Sequence, residues 1–164
     1  MTYRTKTYIA ADWTGDKDAV DQLYNWKESK YLILDFHDAH ADIQSSDNSL
    51  NCSIKASLRN RLDISKTFVL IVGDKTSSLR SGECSYCYKN PDCGNTSNKS
   101  FIEYECDKAV RDNLKIIVLY NATIVDKAKC PDAVKYKGMH YPMQYTSSGV
   151  KYWDYQTVKT ALEA

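Results

Sequence analysis

The chain lacks the features of membrane-spanning, exported and nucleic-acid-binding proteins. No apolar run approaches the ~20 residues that cross a membrane, and the opening MTYRTKTYIAADW holds no signal-peptide core. The 22 Lys and Arg are scattered along the chain and nearly balanced by 21 Asp and Glu, so no basic patch favours nucleic acid or anionic lipid. We therefore expect a cytoplasmic protein with neither a nucleic-acid nor a membrane partner.

Three common nucleotide and hydrolase motifs are also absent. The sequence has no GxGxxG, no GxxxxGK followed by Ser or Thr, and no GxSxG. These absences exclude a Rossmann dinucleotide site, a P-loop and the nucleophile elbow of an α/β-hydrolase.

Six cysteines are present, but without an export signal we interpret them as thiols or metal ligands instead of disulfides. Cys84, Cys87 and Cys93 have part of the spacing of a zinc site. Tetrahedral zinc needs a fourth ligand, which would have to come from another cysteine, a histidine or an acid. We predict no metal and name these three only as candidate ligands.

Apolar runs and helical periodicities alternate along the chain. Four runs predict strands, over Thr7–Trp13, Tyr31–Phe36, Thr67–Gly73 and Lys115–Tyr120. Helical periodicity predicts helices at Ala19–Tyr24, Ser49–Leu62, Ile102–Val110 and Trp153–Leu162, and the sequence between Asn121 and the last helix is irregular. This alternation predicts one α/β domain over residues 1–164, with a central parallel sheet flanked by helices in three layers. Residues 74–100, which carry three cysteines, are predicted to be an insertion.

Two of these helices have faces that can be assigned from the sequence. In Ser49–Leu62, apolar residues recur every fourth position, so Arg61 is expected to face water. In the later helix, Ile102, Cys106 and Ala109 point inward on a helical wheel, and Tyr104 points most nearly outward.

Ligands of parallel α/β sheets bind at the carboxyl ends of the strands. The loops to consider therefore begin at Asp12, His37, Gly73 and Asn121. The polar candidates on this side are Asp12, Trp13, Asp38, His40, Lys75, Thr76, Arg80, Glu103 and Glu105.

Glu103 and Glu105 lie on opposite shoulders of their helix. A partly buried carboxylate there would suit hydrogen bonding to a ribose or stabilisation of a developing positive charge. The helical wheel does not choose between the two, and both also fit as ordinary acids near a helix N-terminus.

Five segments in their order resemble the TIR-like family that includes the Thoeris anti-phage TIR subunit. They are TYIAADWTGDKDAV, LDFHDAH, SKTFVLIVGDKTSS, FIEYECDKAV and LKIIVLYN. The helix motif of that family, aromatic-x-x-Tyr-Glu-x-x-x-Ala, corresponds here to Phe101, Tyr104, Glu105 and Ala109. The resemblance implies a flavodoxin-like, TIR-like fold and extends from about Thr7 to Tyr120.

Enzymatic members of the family break the bond between nicotinamide and ribose in NAD with a glutamate at the position of Glu105. The resemblance thus implies an NAD glycohydrolase or ADP-ribosyl cyclase that uses NAD as substrate, needs no cofactor and acts through an ionised Glu105. Its product, a cyclic ADP-ribose isomer or a related signal, would activate a separate Thoeris effector. Self-association or a phage protein would trigger the activity. The alternatives are a catalytically silent TIR-like interaction module and a flavodoxin-like nucleotide or phosphate binder unrelated to defence.

Seven further residues are assigned to substrate binding, from their loops or from the helix motif: Asp12, Trp13, Asp38, His40, Thr76, Arg80 and Phe101. Trp13 could stack on nicotinamide or adenine, or instead cover the rim of the core. The planar fork of Arg80 suits a pyrophosphate, although it would also fit an ordinary surface position. His40 is either part of the cleft or a solvated loop histidine.

Overall fold

A computed structural model of the chain describes residues 3–32, 34–38, 58–78 and 101–164. The central sheet has four parallel strands in the order β1 (Lys6–Ala10), β2 (Ser65–Val72), β3 (Lys115–Tyr120) and β4 (Met139–Pro142). A separate antiparallel hairpin is formed by β5 (Gln144–Ser147) and β6 (Val150–Trp153). The helices are α1 (Lys17–Glu28), α2 (helical over residues 58–63), α3 (Phe101–Arg111) and α4 (Tyr155–Glu163).

Helices cover both faces of the central sheet. Alternate residues of β2 point to opposite sides, so Phe68 and Leu70 pack against α2 and α3, whereas Val69 and Ile71 pack against α1 and α4. The central strands are nearly continuous apolar sequence because both faces are covered. The predicted three-layer α/β arrangement, flavodoxin-like and consistent with a TIR-like fold, is confirmed.

The predicted strand at Tyr31–Phe36 is wrong. Residues 34–37 form no regular element, and among the described residues the segment meets β1 at a single parallel bridge between Thr7 and Asp38. The Thr7 amide donates to the His37 carbonyl at 2.6 Å. The apolar pattern instead reflects burial of Leu34 and Phe36 in the core beside α1. This segment lies beside β1 on the side opposite β2. The order in which successive segments are added to the sheet therefore reverses between β1 and β2.

The region after Tyr120 contains strands where the sequence predicted irregular structure. Residues Met139–Pro142 form the fourth parallel strand, and Trp153 ends β6 instead of beginning the last helix. Gly138 enters β4 at a φ of 67°, and a Cβ there would lie 2.1 Å from the Ile116 carbonyl oxygen. Only glycine permits this approach to the backbone of β3.

Helices α2 and α3 contact each other as well as the sheet. Lys108 of α3 pairs with Asp63 at the end of α2 at 2.8 Å. Tyr104 and Arg61, both expected to face water, are therefore buried, with 7% and 5% exposure. Those two orientations were predicted wrongly because a helical wheel shows the face toward the sheet but not a second buried face toward a neighbouring helix. Within the described ranges, none of the helices is both long and apolar enough to cross a bilayer.

Candidate active site

Glu105 lies just over one turn into α3, with only 6% of its surface exposed. Burial raises the pKa of its carboxyl group to about 8, and the nearby Tyr8 hydroxyl and the charge of Arg61 both oppose that rise. At neutral pH the protonated form therefore predominates, contrary to the expectation that the group is ionised. Its neighbour Glu103 is only partly buried.

The two groups facing Glu105 come from different elements. Tyr8, in the middle of β1, is fully buried and stacks on Phe68 with ring centroids 5.9 Å apart. Arg61, from α2, has Nε and Nη2 atoms that find no hydrogen-bond partner among the described residues. We refer to these three side chains as the Tyr8–Arg61–Glu105 cluster.

A cavity of about 440 Å³ lies at the carboxyl ends of the first three strands. Its walls come from the loops after β1, β2 and β3, which are three of the four loops expected at the ligand edge. The residues that line it are Asp12, Thr14, Gly15, Asp16, Lys17, Asp18, Gly73, Asp74, Lys75 and Asn121. We call it the carboxyl-edge cavity, and its lining includes four aspartates but not Glu105.

Asp16 is the most buried acid of this cavity, at 5% exposure. Burial raises its pKa, whereas the hydrogen bond from Asn121 lowers it. The Asn121 Nδ2 atom donates to Oδ1 of Asp16 and to Oδ1 of Asp18, each at 3.0 Å. The Asp16 carboxylate also lies against Gly73, where an added Cβ would be 2.0 Å from Oδ1. A hydrogen-bonded carboxylate and a glycine thus close the floor of the cavity.

Trp13 and Asp38 are brought together by Tyr24 of α1. The Tyr24 hydroxyl donates to Asp38 Oδ2 at 2.6 Å, and its ring lies 6.4 Å from the Trp13 ring, centroid to centroid. Trp13 remains 46% exposed. The rings of Trp13 and Tyr24 and the carboxylate of Asp38 therefore lie together at the β1 edge of the sheet.

Thr76 and Phe101 hold structural positions in the described residues. Thr76 is fully buried, and its Oγ1 atom accepts a hydrogen bond from the Gly73 amide at 2.8 Å, which ties down the turn after β2. Phe101 is partly buried and packs on the core between the sheet and α3.

Several sequence candidates lie outside the described residues. These are His40, Arg80 and the three cysteines Cys84, Cys87 and Cys93. The predicted insertion at residues 74–100 is described only through residue 78. Within the described ranges, no group of three or more His, Cys, Asp or Glu side chains is arranged to hold a metal ion.

Sequence reasoning did not identify four residues that shape these sites: Tyr8, Arg61, Asp16 and Asn121. Tyr8 alternates with Ala10 along β1, a spacing that favours burial, whereas the spacing of apolar residues on α2 gave no sign that Arg61 is buried. Asn121 begins one of the predicted loops and Asp16 lies four residues after the start of another, but their contact joins residues 105 positions apart in sequence.

Residues 8–81 match the family described as Thoeris protein ThsB, TIR-like domain. The matched segment is similar to the TIR-like domain of that family. The match confirms the TIR-like resemblance over these residues. It includes Tyr8 and Arg61 but ends before α3, so Glu105 lies beyond it. No curated protein matches the chain.

Proposed function

We propose that this TIR-like domain cleaves NAD at the bond between nicotinamide and ribose, with Glu105 as the catalytic carboxylate. The observation that carries the proposal is the Tyr8–Arg61–Glu105 cluster. In it a buried acid with a pKa raised to about 8 faces a phenol and a guanidinium from two other elements. Carboxylates with strongly perturbed pKa values concentrate at functional sites.

The chemistry requires the ionised form of Glu105. As the C1–N bond of NAD breaks, nicotinamide takes the bonding electrons and leaves neutral, and the ribose C1 gains oxocarbenium character. A carboxylate in a buried, weakly polarisable environment stabilises that positive charge more strongly than one in water. The cleavage rate should therefore rise with pH up to about 8, the range over which Glu105 ionises.

The fate of C1 decides the product. If a nitrogen of the adenine ring attacks C1, NAD yields nicotinamide, a cyclic ADP-ribose isomer and a proton. If water attacks, NAD and water yield nicotinamide, linear ADP-ribose and a proton. A site that holds NAD folded and excludes water favours the cyclic product by proximity.

The charge of the carboxyl-edge cavity bears on how NAD is held. Its four aspartates outnumber its two lysines, so the net negative charge disfavours a pyrophosphate there. We therefore propose that the pyrophosphate is bound elsewhere, by Arg80, and that Trp13 stacks on a base with Asp12, Asp38 and His40 completing the cleft. Thr76 and Phe101, which hold structural positions, would support the cleft from within the core. No cofactor is needed in this scheme, because NAD is the substrate.

Within the cell we propose that the reaction is cytoplasmic and produces a signal. The nucleotide product would activate a separate Thoeris effector, and self-association or a phage protein would switch the domain on. The coupling through a small molecule means that the effector need not contact this chain.

The test compares Glu105→Gln with Glu103→Gln, its partly exposed neighbour on the same helix. Purified protein, and lysate of phage-infected cells expressing it, are incubated with NAD and products are followed by mass spectrometry. We expect nicotinamide and an ADP-ribose product from the parent and from Glu103→Gln, and a loss of at least ~100-fold in Glu105→Gln. Absence of NAD turnover by the parent in both settings would leave the interaction module as the better description.

A further inference from the structure

The carboxyl-edge cavity lies where parallel α/β sheets bind their ligands, beside the reversal of order between β1 and β2. Its volume of about 440 Å³ is in the range of cavities that hold small molecules. Four acids and two lysines line it, so its net charge is negative. These properties favour a small organic ligand of positive charge.

Three of the four acids are not neutralised by a neighbouring cation. Asp74 pairs with Lys129 at 2.5 Å, and Lys17 pairs with Asp21 at 2.6 Å, outside the cavity lining. The remaining acids make hydrogen bonds but no ion pair within the described ranges: Asp12, Asp16 and Asp18. The N-terminus of α1 offers them only about half a positive charge. Even with Lys75 included, roughly one to two negative charges are left over.

Asp16 provides an acceptor that no described residue uses. It stands at the N-cap of α1 but makes no side-chain capping hydrogen bond. Its Oδ1 atom accepts instead from Asn121 at 3.0 Å, and Gln144 holds that amide in place by donating to the Asn121 Oδ1 atom at 2.9 Å. Asp16 lines the cavity at 5% exposure, and its Oδ2 atom accepts no hydrogen bond among the described residues. A buried carboxylate oxygen without a donor costs free energy that a bound donor would recover.

The arrangement of the acids distinguishes between classes of cation. Within the described ranges, no three acids converge closely enough to hold a metal ion, so the negative charge is spread over the cavity. No aromatic ring is among the described lining residues, so the cavity lacks the cage that binds quaternary ammonium groups. Spread carboxylates suit an extended cation whose N–H groups donate to several oxygens at once.

We propose that the carboxyl-edge cavity binds a small organic cation that carries ammonium or guanidinium groups. Asp12 and Asp18 are its charged contacts, and the Oδ2 atom of Asp16 is the acceptor at the floor of the cavity. Asp16 keeps its hydrogen bond to Asn121 through Oδ1, so its part in the structure is unchanged. The site goes beyond NAD cleavage and does not depend on it, since Glu105 does not line this cavity.

The experiment titrates the full chain with agmatine, which carries one ammonium and one guanidinium group, by calorimetry and by NMR of the backbone amides. Asp12→Asn and Asp18→Asn each remove one charge from the cavity. The new side chain keeps an oxygen that accepts the hydrogen bond from the Thr14 or Ala19 amide. Glu28→Gln, an exposed acid at the other end of α1, is the matched control.

We expect a Kd below ~1 mM for the parent and for Glu28→Gln, and binding at least ~tenfold weaker in each aspartate variant. Amide shifts in the parent should centre on the loops after β1, β2 and β3. Tetramethylammonium has the charge without an N–H donor, and Mg²⁺ is a metal ion, so neither should displace agmatine at equal concentration.

Three results would overturn the proposal. The first is no agmatine binding by the folded parent, and the second is equal binding by the parent and both aspartate variants. The third is displacement of agmatine by tetramethylammonium or Mg²⁺ at equal concentration, which would contradict the class of ligand. If one aspartate variant does not fold, the other decides. If neither folds, amide shifts of the parent away from the three loops would contradict the site.

Discussion

Asp16 and Glu105 are two acids with nearly equal burial and opposite surroundings. Their exposures are 5% and 6%, and in both cases burial is the largest cause of a raised pKa. Asp16 faces other aspartates and the amide of Asn121 across an open cavity, whereas Glu105 faces a phenol and a guanidinium inside the helical layer.

The difference shows that burial by itself does not select a catalytic acid. Around Asp16 the nearby charges of Asp12, Asp18 and Asp74 add to the effect of burial, so further charge there is disfavoured. Around Glu105 the nearby charge opposes burial, so the carboxylate is accessible near physiological pH. We therefore propose a structural role for Asp16, as a hydrogen-bond acceptor, and a chemical role for Glu105.

The largest expected effect is that of Glu105→Gln on how the free energy of unfolding depends on pH. Glu105 has a pKa raised from 4.5 to about 8 in the folded protein, so its contribution to stability is fully present below pH 4.5 and is lost as the pH rises toward 8. Glu105→Gln should flatten the curve of unfolding free energy against pH by up to roughly 1.4 kcal/mol per pH unit in that window. Urea unfolding at several pH values measures this, with Glu103→Gln as the control. An equal slope in parent and Glu105→Gln would mean that Glu105 is not the titrating group.

Gly73→Ala tests the close packing around Asp16. The added Cβ would lie 2.0 Å from Oδ1 of Asp16, so the carboxylate must move away from Asn121. We expect a loss of about 1–3 kcal/mol in unfolding free energy, the usual cost of overpacking. Lys66→Ala, at an exposed position of β2, the strand that precedes Gly73, should change it by less than about 0.5 kcal/mol. Equal stabilities of Gly73→Ala and Lys66→Ala would show that the contact is not tight.

Asn121→Ala removes the amide that donates to both Asp16 and Asp18. Because Asp16 would remain buried without that donor, we expect a loss of about 1–2 kcal/mol and a further rise in the pKa of Asp16. Denaturant unfolding at pH 4 and pH 7 measures both, since the loss should be smaller at the lower pH, where Asp16 is protonated more readily. A loss that is larger at pH 4 would contradict the assigned hydrogen bond.

Tyr8→Phe is expected to have the smallest effect on stability, about 1 kcal/mol or less, because the stacking on Phe68 is retained. Removal of the hydroxyl takes away a donor to the Glu105 carboxylate, so the pKa of Glu105 should rise further. The pH profile of NAD cleavage should shift upward. A downward shift would show that the hydroxyl does not stabilise the carboxylate.

Much of the sheet could be predicted from the sequence because its central strands are long apolar runs covered on both faces. The segments of β1, β2 and β3 were all located in this way. The short β4 was missed because Met139–Pro142 is only partly buried and offers no apolar run. The segment before Asp38 was predicted as a strand because apolar burial and strand pairing give the same local pattern.

The candidate site was less accessible to sequence reasoning. Resemblance to the TIR-like family selected Glu105 over Glu103, which helical periodicity alone did not do. Arg61 and Tyr8 were missed because their approach to Glu105 is set by packing between elements far apart in the sequence. The helical wheel placed Arg61 toward water because it uses the periodicity of one helix and does not include packing against a neighbouring helix.

The most direct test of Glu105 as the catalytic acid is to measure nicotinamide release from NAD by Glu105→Gln and by Asp16→Asn. Each variant is expressed separately, and the lysates of phage-infected cells are prepared in the same way. Both substitutions replace a buried carboxylate with an amide of nearly the same shape. We predict that Glu105→Gln loses at least ~100-fold in rate, whereas Asp16→Asn stays within about tenfold of the parent. Loss of cleavage in Asp16→Asn with full activity in Glu105→Gln would contradict the assignment and move the chemistry to the carboxyl-edge cavity.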